Sequence, residues 1–143
     1  MPSKMAIDKE YWDRAIPEIA KSLLSDEKVQ IRAWIVGSAA DRLIRSMEGH
    51  PNDVDMIVHP DDFSEALRQL ARMDSVQNRK IGITLTNHGG LRVFPRMAGS
   101  GLEREIDIWP DTPAEYILRC HQQRNQPHDL AINPYTNEYI NGA

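Results

Sequence analysis

Two aspartates one residue apart open an otherwise apolar run, Asn52-Asp53-Val54-Asp55-Met56-Ile57-Val58, and no other stretch restricts the fold as tightly. The apolar and β-branched residues read as a strand over Asp53 to Val58. Alternate strand residues point to one face, so Asp53, Asp55 and Ile57 share a side while Val54, Met56 and Val58 line the reverse. Like charges on one sheet face repel unless a cation sits between them. The run therefore needs a buried back and a counter-charge in front. Mg²⁺ is the expected counter-ion, because this hard cation binds a few carboxylates and keeps water and substrate phosphates as its other ligands.

A second acidic strand, Glu103 to Trp109, carries Glu105 and Asp107 on one face. Paired beside the first, it lets Asp107 complete a three-carboxylate cluster able to hold two metal ions ~4 Å apart. Upstream, a strand over Ile31 to Val36 stops at Gly37-Ser38 and passes into a helix over Ala39 to Met47. Glycine lets the backbone approach a phosphate, Ser38 adds a hydroxyl, and the amides opening the helix favour negative charge. Alone, Gly-Ser is an ordinary helix cap.

The other elements are short and alternate in type. Asp8 caps a helix that restarts at Pro17 and runs to Leu24, and Asp61 or Asp62 caps another through Arg72 that buries Phe63, Ala66, Leu67 and Leu70. From Lys80 the apolar period falls to two, giving a hairpin about Asn87-His88-Gly89-Gly90, followed by a flexible loop over Met97 to Gly101. Thr112-Pro113 opens a helix to about Arg124, and His128 to Ile140 holds a short strand and a turn at Asn133-Pro134. These elements predict an α/β chain of the α+β kind, a small mixed β-sheet with helices packed on it, in one domain over residues 1–143.

Charge narrows the partners. Seventeen Lys and Arg against 21 Asp and Glu give a net charge of −4 over 143 residues, which excludes a broadly basic nucleic-acid coat. A polyanionic substrate must then be met by metal or by a few arginines. Arg42 follows the Gly-Ser turn, whereas Arg92, Arg96 and Arg104 read as solvated surface. The single cysteine, Cys120, closes no intrachain disulfide, so a reducing, cytoplasmic setting is expected. Cys120 and His121 are helix neighbours that point apart. No histidine pair has metal-ligand spacing, and no apolar run approaches the ~20 residues that cross a bilayer.

Gly37-Ser38, the helix carrying Arg42, the Asp53-Val54-Asp55 strand opening and Asp107 within Glu105-Ile106-Asp107-Ile108 together resemble the DNA polymerase beta-like nucleotidyltransferase superfamily. The likeness runs from Ile31 to Trp109. It implies a palm-like sheet, with Gly37, Ser38 and Arg42 holding a nucleoside triphosphate. It also implies two Mg²⁺ ions on Asp53, Asp55 and Asp107, with Asp107 as candidate general base. His128-Asp129-Leu130-Ala131-Ile132-Asn133-Pro134 is similar to the Arg-Arg-Asp-Phe-Thr-Ile-Asn stretch of CCA-adding enzymes and poly(A) polymerases. Pro127 and His128 stand in place of its arginines and Ala131 in place of its threonine, and the sequence ends at Ala143, before the helical domains of those enzymes, so the expectation is a stand-alone catalytic unit.

The expected activity is transfer of a nucleoside monophosphate from an NTP to a hydroxyl, with release of pyrophosphate. The acceptor stays open between tRNA or another RNA, a protein and a small molecule, with a protein partner a candidate source of acceptor recognition. A non-catalytic antitoxin or nucleotide sensor on the same fold is the alternative, and a metal-dependent phosphodiesterase a third.

Overall fold

The computed structural model describes residues 3–4, 31–40, 53–100, 102, 104–122, 131–132 and 138–140. Among them, eight strands form one sheet: β1 (Ser3–Lys4), β2 (Ala33–Val36), β3 (Val54–Val58), β4 (Ile81–Leu85), β5 (Leu91–Pro95), β6 (Ile106–Pro110), β7 (Ala131–Ile132) and β8 (Glu138–Ile140). Their order is β1-β8-β7-β2-β3-β6-β5-β4. Only β3 and β6 run parallel; every other pairing is antiparallel, so the sheet is mixed, as the alternation of elements predicts. A 3₁₀ turn over Pro60–Asp62 leads into α1 (Phe63–Arg72), the short α2 (Asp74–Gln77) follows, and α3 (Pro113–Gln122) succeeds β6.

The alternation expected of the acidic strand holds. Val54, Met56 and Val58 lie in the larger core with Ala33, Ile35, Ile106, Ile108, Leu91, Val93 and Ile132, under α1 through Ala66 and Leu70. On the reverse face Val36, Ile57 and Ala131 form a small second core with Trp34, Trp109 and Tyr116. Asp55 shares that thinner face by strand parity. A one-residue slip of β3 would place its acids in the larger core, so burial of Val54, Met56 and Val58 locks the register.

Several boundaries differ from the sequence reading. β2 begins at Ala33, β3 at Val54 and β6 at Ile106, while the expected end of α3 near Arg124 lies outside the described residues. Neither Asp61 nor Asp62 caps α1 by a side-chain hydrogen bond. Asp62 instead accepts from the Arg32 backbone N–H and Nε, both at 2.9 Å, tying the start of β2 to the start of α1. Those bonds hold the Asp62 carboxyl below its usual range. Leu67 is exposed, because the buried stripe of α1 runs through Ala66 and Leu70. The helix expected over Asp8 to Leu24, the turn at Asn133-Pro134 and the helix beyond Ala40 lie outside the described residues. β1, which no sequence signal announces, pairs with β8. No helix among the described residues is long and apolar enough to cross a membrane.

The β4–β5 hairpin approaches β6 closely at Gly90. A Cβ there would meet the Ile108 carbonyl oxygen at 2.7 Å and Trp109 Cβ at 3.0 Å, and backbone cannot yield cheaply. Gly90→Ala is therefore expected to lower stability by ~1–3 kcal/mol, seen as a lower urea midpoint with an unchanged slope.

Candidate active site

Strand register lays the candidate residues in one row across the thin face of the sheet. Val36 pairs with Asp55, Asp55 with Asp107, Asp107 with Arg92, and Arg92 with Thr84. Neighbouring strands stand ~4.8 Å apart, so Asp55 and Asp107 are adjacent rungs of a parallel pair. The Gly37 turn closes one end of the row. Gly37 has φ +71°, and a Cβ on it would come within 2.9 Å of Asp55 Oδ2. Only glycine lets the turn lie against that carboxylate without strain. Residues 37–40 are helical, with Ser38 half-buried in the opening turn.

Strand register brings Asp55 and Asp107 of the expected carboxylate trio side by side, with Asp53 just outside β3. Among the described residues, no group of three or more His, Cys, Asp or Glu side chains is arranged to hold a metal ion. Asp53 sits in the bend before β3, exposed to solvent, because β3 begins at Val54. Asp107 is already partnered: its Oδ1 accepts a 2.9 Å hydrogen bond from Arg92 Nε, which also stands 3.6 Å from Glu105 Oε2. Arg92, read from the sequence as solvated surface, is thus the cation that the acidic face requires. Asp107 first, then the charges of Glu105 and Asp53, hold its guanidinium more firmly protonated than usual. Arg42 lies outside the described residues.

One side chain of this site, Tyr116, carries no sequence signature. Tyr116 rises from α3 into the small core, its ring centroid 6.4 Å from that of Trp109 at an interplanar angle of 48°. Burial and a hydrogen bond with Cys120 push its phenol well above the ordinary tyrosine value, against the opposing effect of a hydrogen bond from the Gly37 backbone. A helix signal was legible, but the target of its fourth residue depends on where α3 docks. Thr112 caps α3 by accepting from the Glu115 N–H at 3.3 Å, and the buried Asp111 before it pairs with Arg119. Cys120 is buried and His121 exposed, as their adjacency on a helix requires. Beyond Asp107 and Arg92, a cavity of about 310 Å³ opens between the hairpin turn and β6, lined also by Thr86, His88, Gly90 and Trp109.

With this geometry in view, known structures place the architecture. The chain has a nucleotidyltransferase-like fold. A CCA-adding enzyme in complex with ATP matches 96% of this chain and 34% of its own at TM-score 0.57 and 17% identity. An apo form of CCA-adding enzyme matches 94% and 32% at TM-score 0.57 and 18% identity. A tRNA nucleotidyltransferase with a primer tRNA and an incoming ATP analogue matches 87% and 33% at TM-score 0.50 and 18% identity. This chain spans about a third of the length of each. No protein-family profile and no curated protein sequence matches the chain.

Two outcomes test the site's construction. Gly37→Ala forces an L side chain into a left-handed conformation, at ~1–2 kcal/mol, and pushes the Asp55 carboxylate aside; thermal unfolding and an Asp55 side-chain carboxyl NMR shift both report it. Tyr116→Phe removes the phenol's hydrogen bonds with Cys120 and with the Gly37 backbone, together worth about 1–3 kcal/mol below pH 10. Above about pH 10 the unfolded tyrosine ionises while the folded one stays protonated, so the wild type loses stability with rising pH and the variant lacks that component. The stability gap between them should narrow from pH 9 to 11 in denaturant titrations.

Proposed function

We propose that this protein transfers a nucleoside monophosphate from an NTP to a hydroxyl-bearing acceptor, releasing pyrophosphate. The observation that carries this reading is the row Gly37–Asp55–Asp107, in which a phosphate-accommodating turn abuts two adjacent carboxylates. The shared fold supports it: the CCA-adding enzymes that share the fold were solved with ATP and with CTP.

The donor set fits a hard divalent ion. Mg²⁺ needs one or two carboxylates, with water and phosphate as its remaining ligands, and Asp55 beside Asp107 supplies that pair. Asp53, in the bend before β3, supplies a third carboxylate to the substrate-bound site. When bound, Mg²⁺ supplies charge neutralisation for the triphosphate and polarisation of the attacking hydroxyl. Gly37 and Ser38 bind the phosphates by backbone amides and a hydroxyl, with Arg42 as their cationic partner. Asp107 accepts the proton of the acceptor hydroxyl as its oxygen bonds to the α-phosphorus, and the bond from that phosphorus to the β-phosphate oxygen breaks. Arg92 orients Asp107 for that transfer.

The Arg92–Asp107 ion pair also favours one other reading, a module that binds nucleotide and does no chemistry, because the arginine already satisfies the carboxylate. Incubation with α-³²P-labelled NTPs, Mg²⁺ and whole-cell RNA or protein separates the two. Transfer is expected to label an acceptor with pyrophosphate release, and Asp55→Asn, Asp107→Asn or Asp53→Ala to lower the rate by at least ~100-fold with the fold intact by circular dichroism. An unchanged rate in the Asp53→Ala/Asp55→Ala double variant would overturn the transferase reading. Nucleotide binding that is equal in Mg²⁺ and EDTA, without label transfer, supports the binding module.

A further inference from the structure

Among the described residues β4 ends the sheet, with β5 on one side of it and no strand on the other. Backbone geometry decides which groups face that outer edge. The Arg96 N–H donates to the Lys80 carbonyl and the Thr86 N–H to the Gly90 carbonyl, so even-numbered residues commit their amides and carbonyls to β5. Odd-numbered residues aim theirs away from the sheet. Ile81 is only 4% exposed, which closes its end of the edge. Ile83 is half-buried and Leu85 is 77% exposed, so the open part runs from Ile83 to Leu85.

Strand edges are ordinarily blunted by proline, by charge or by a bulge. Gly82-Ile83-Thr84-Leu85-Thr86 contains no proline and no charged residue, and β4 pairs with β5 in unbroken register. Leu85 shares its parity with Ile81 and Ile83, which belong to the larger core or pack against it, so Leu85 continues that core face past its cover.

The strand's own sequence names its occupant. Arg79 and Lys80 precede β4, whereas Thr86-Asn87-His88-Gly89 after it holds no Lys, Arg, Asp or Glu. Antiparallel pairing of two copies sets each cationic flank against the other's uncharged one; parallel pairing would stack the cations. With Ile81 closed, the pairing that uses only Ile83 to Leu85 has its two-fold axis at Thr84.

We propose that two copies of this chain join edge to edge through Ile83 to Leu85, antiparallel about Thr84, to make one continuous sheet. Ile83 of each copy exchanges backbone hydrogen bonds with Leu85 of the other, their side chains pack together, and the two Thr84 side chains meet on the thin face. The axis stands perpendicular to the sheet. Both rows of Asp55, Asp107, Arg92 and Thr84 therefore lie on one face, with the two Asp107 residues five strand spacings or about 24 Å apart. The proposal is independent of the transferase reading.

Three residues a side make a small, transient contact, so the full chain is sedimented from about 10 μM to about 1 mM. Its mass should rise from 16.3 kDa toward twice that value. Leu85→Pro removes an outward N–H without touching the β5 ladder and should weaken association at least ~tenfold, whereas Leu85→Ala keeps the N–H and should weaken it less. Thr84→Cys should form a disulfide between copies on mild oxidation, because residues facing across that axis have Cα atoms ~4.5 Å apart. Thr86→Cys, away from the axis, should not, and Cys120 is buried in both variants. A mass that stays at 16.3 kDa at every concentration overturns the proposal and leaves the edge to a different protein. Equal weakening by Leu85→Pro and Leu85→Ala overturns it too, as does equal cross-linking at positions 84 and 86. Should Leu85→Pro fail to fold by circular dichroism, the two cysteine variants decide alone.

Discussion

The parallel pairing of β3 with β6 is the constraint on which the site depends. It sets Asp55 beside Asp107 on adjacent strands, a placement that two negative side chains would resist without compensation. The protein supplies that compensation with a side chain of its own, Arg92 on the next strand, directly across from Asp107 and ion-paired to it. An arginine held in register is a cation whose position does not depend on ligand. The same residue therefore stabilises the sheet and defines the electrostatics of the cleft beside it.

The two faces of the sheet divide the labour. The α1 face buries most of the apolar residues and fixes the pleat; the other carries a small core of Val36, Ile57 and Ala131 with Trp34, Trp109 and Tyr116 at its edge. Thin coverage leaves Asp55, Asp107 and Arg92 partly open to solvent while the strands beneath them stay rigid. The polar groups of the candidate site are thus mounted on strands whose backs are fully buried, which limits their motion. Tyr116 extends this arrangement, since one side chain joins α3, the small core and the backbone of the Gly37 turn.

Much of this was legible in residue order, because parity is a local property. The alternation Val54-Asp55-Met56-Ile57-Val58 names its own buried side, and the small residues at Gly37-Ser38 announce a sharp strand-to-helix turn. Asp107 followed from a second strand of the same character, provided the two strands paired. Boundaries were less legible, as with Asp62: its helix-capping chemistry is equally suited to a side-chain partner, and Arg32, thirty residues earlier, took it. Arg92 went unread because nothing near it in sequence distinguishes a surface arginine from the counter-ion of a carboxylate fifteen residues away.

Local alternation and turn chemistry by themselves determined which residues face a core, which strand carries paired acids and where a glycine turn interrupts the chain. Strand order and helix docking decided the rest. They set Asp107 rather than Asp53 as the nearest companion of Asp55, made Arg92 the counter-charge, and brought Tyr116 beneath Gly37. The physical reason is that hydrogen-bond pairing between strands brings together residues far apart in the chain, and a one-residue change of register would reassign every such neighbour without altering a single local preference.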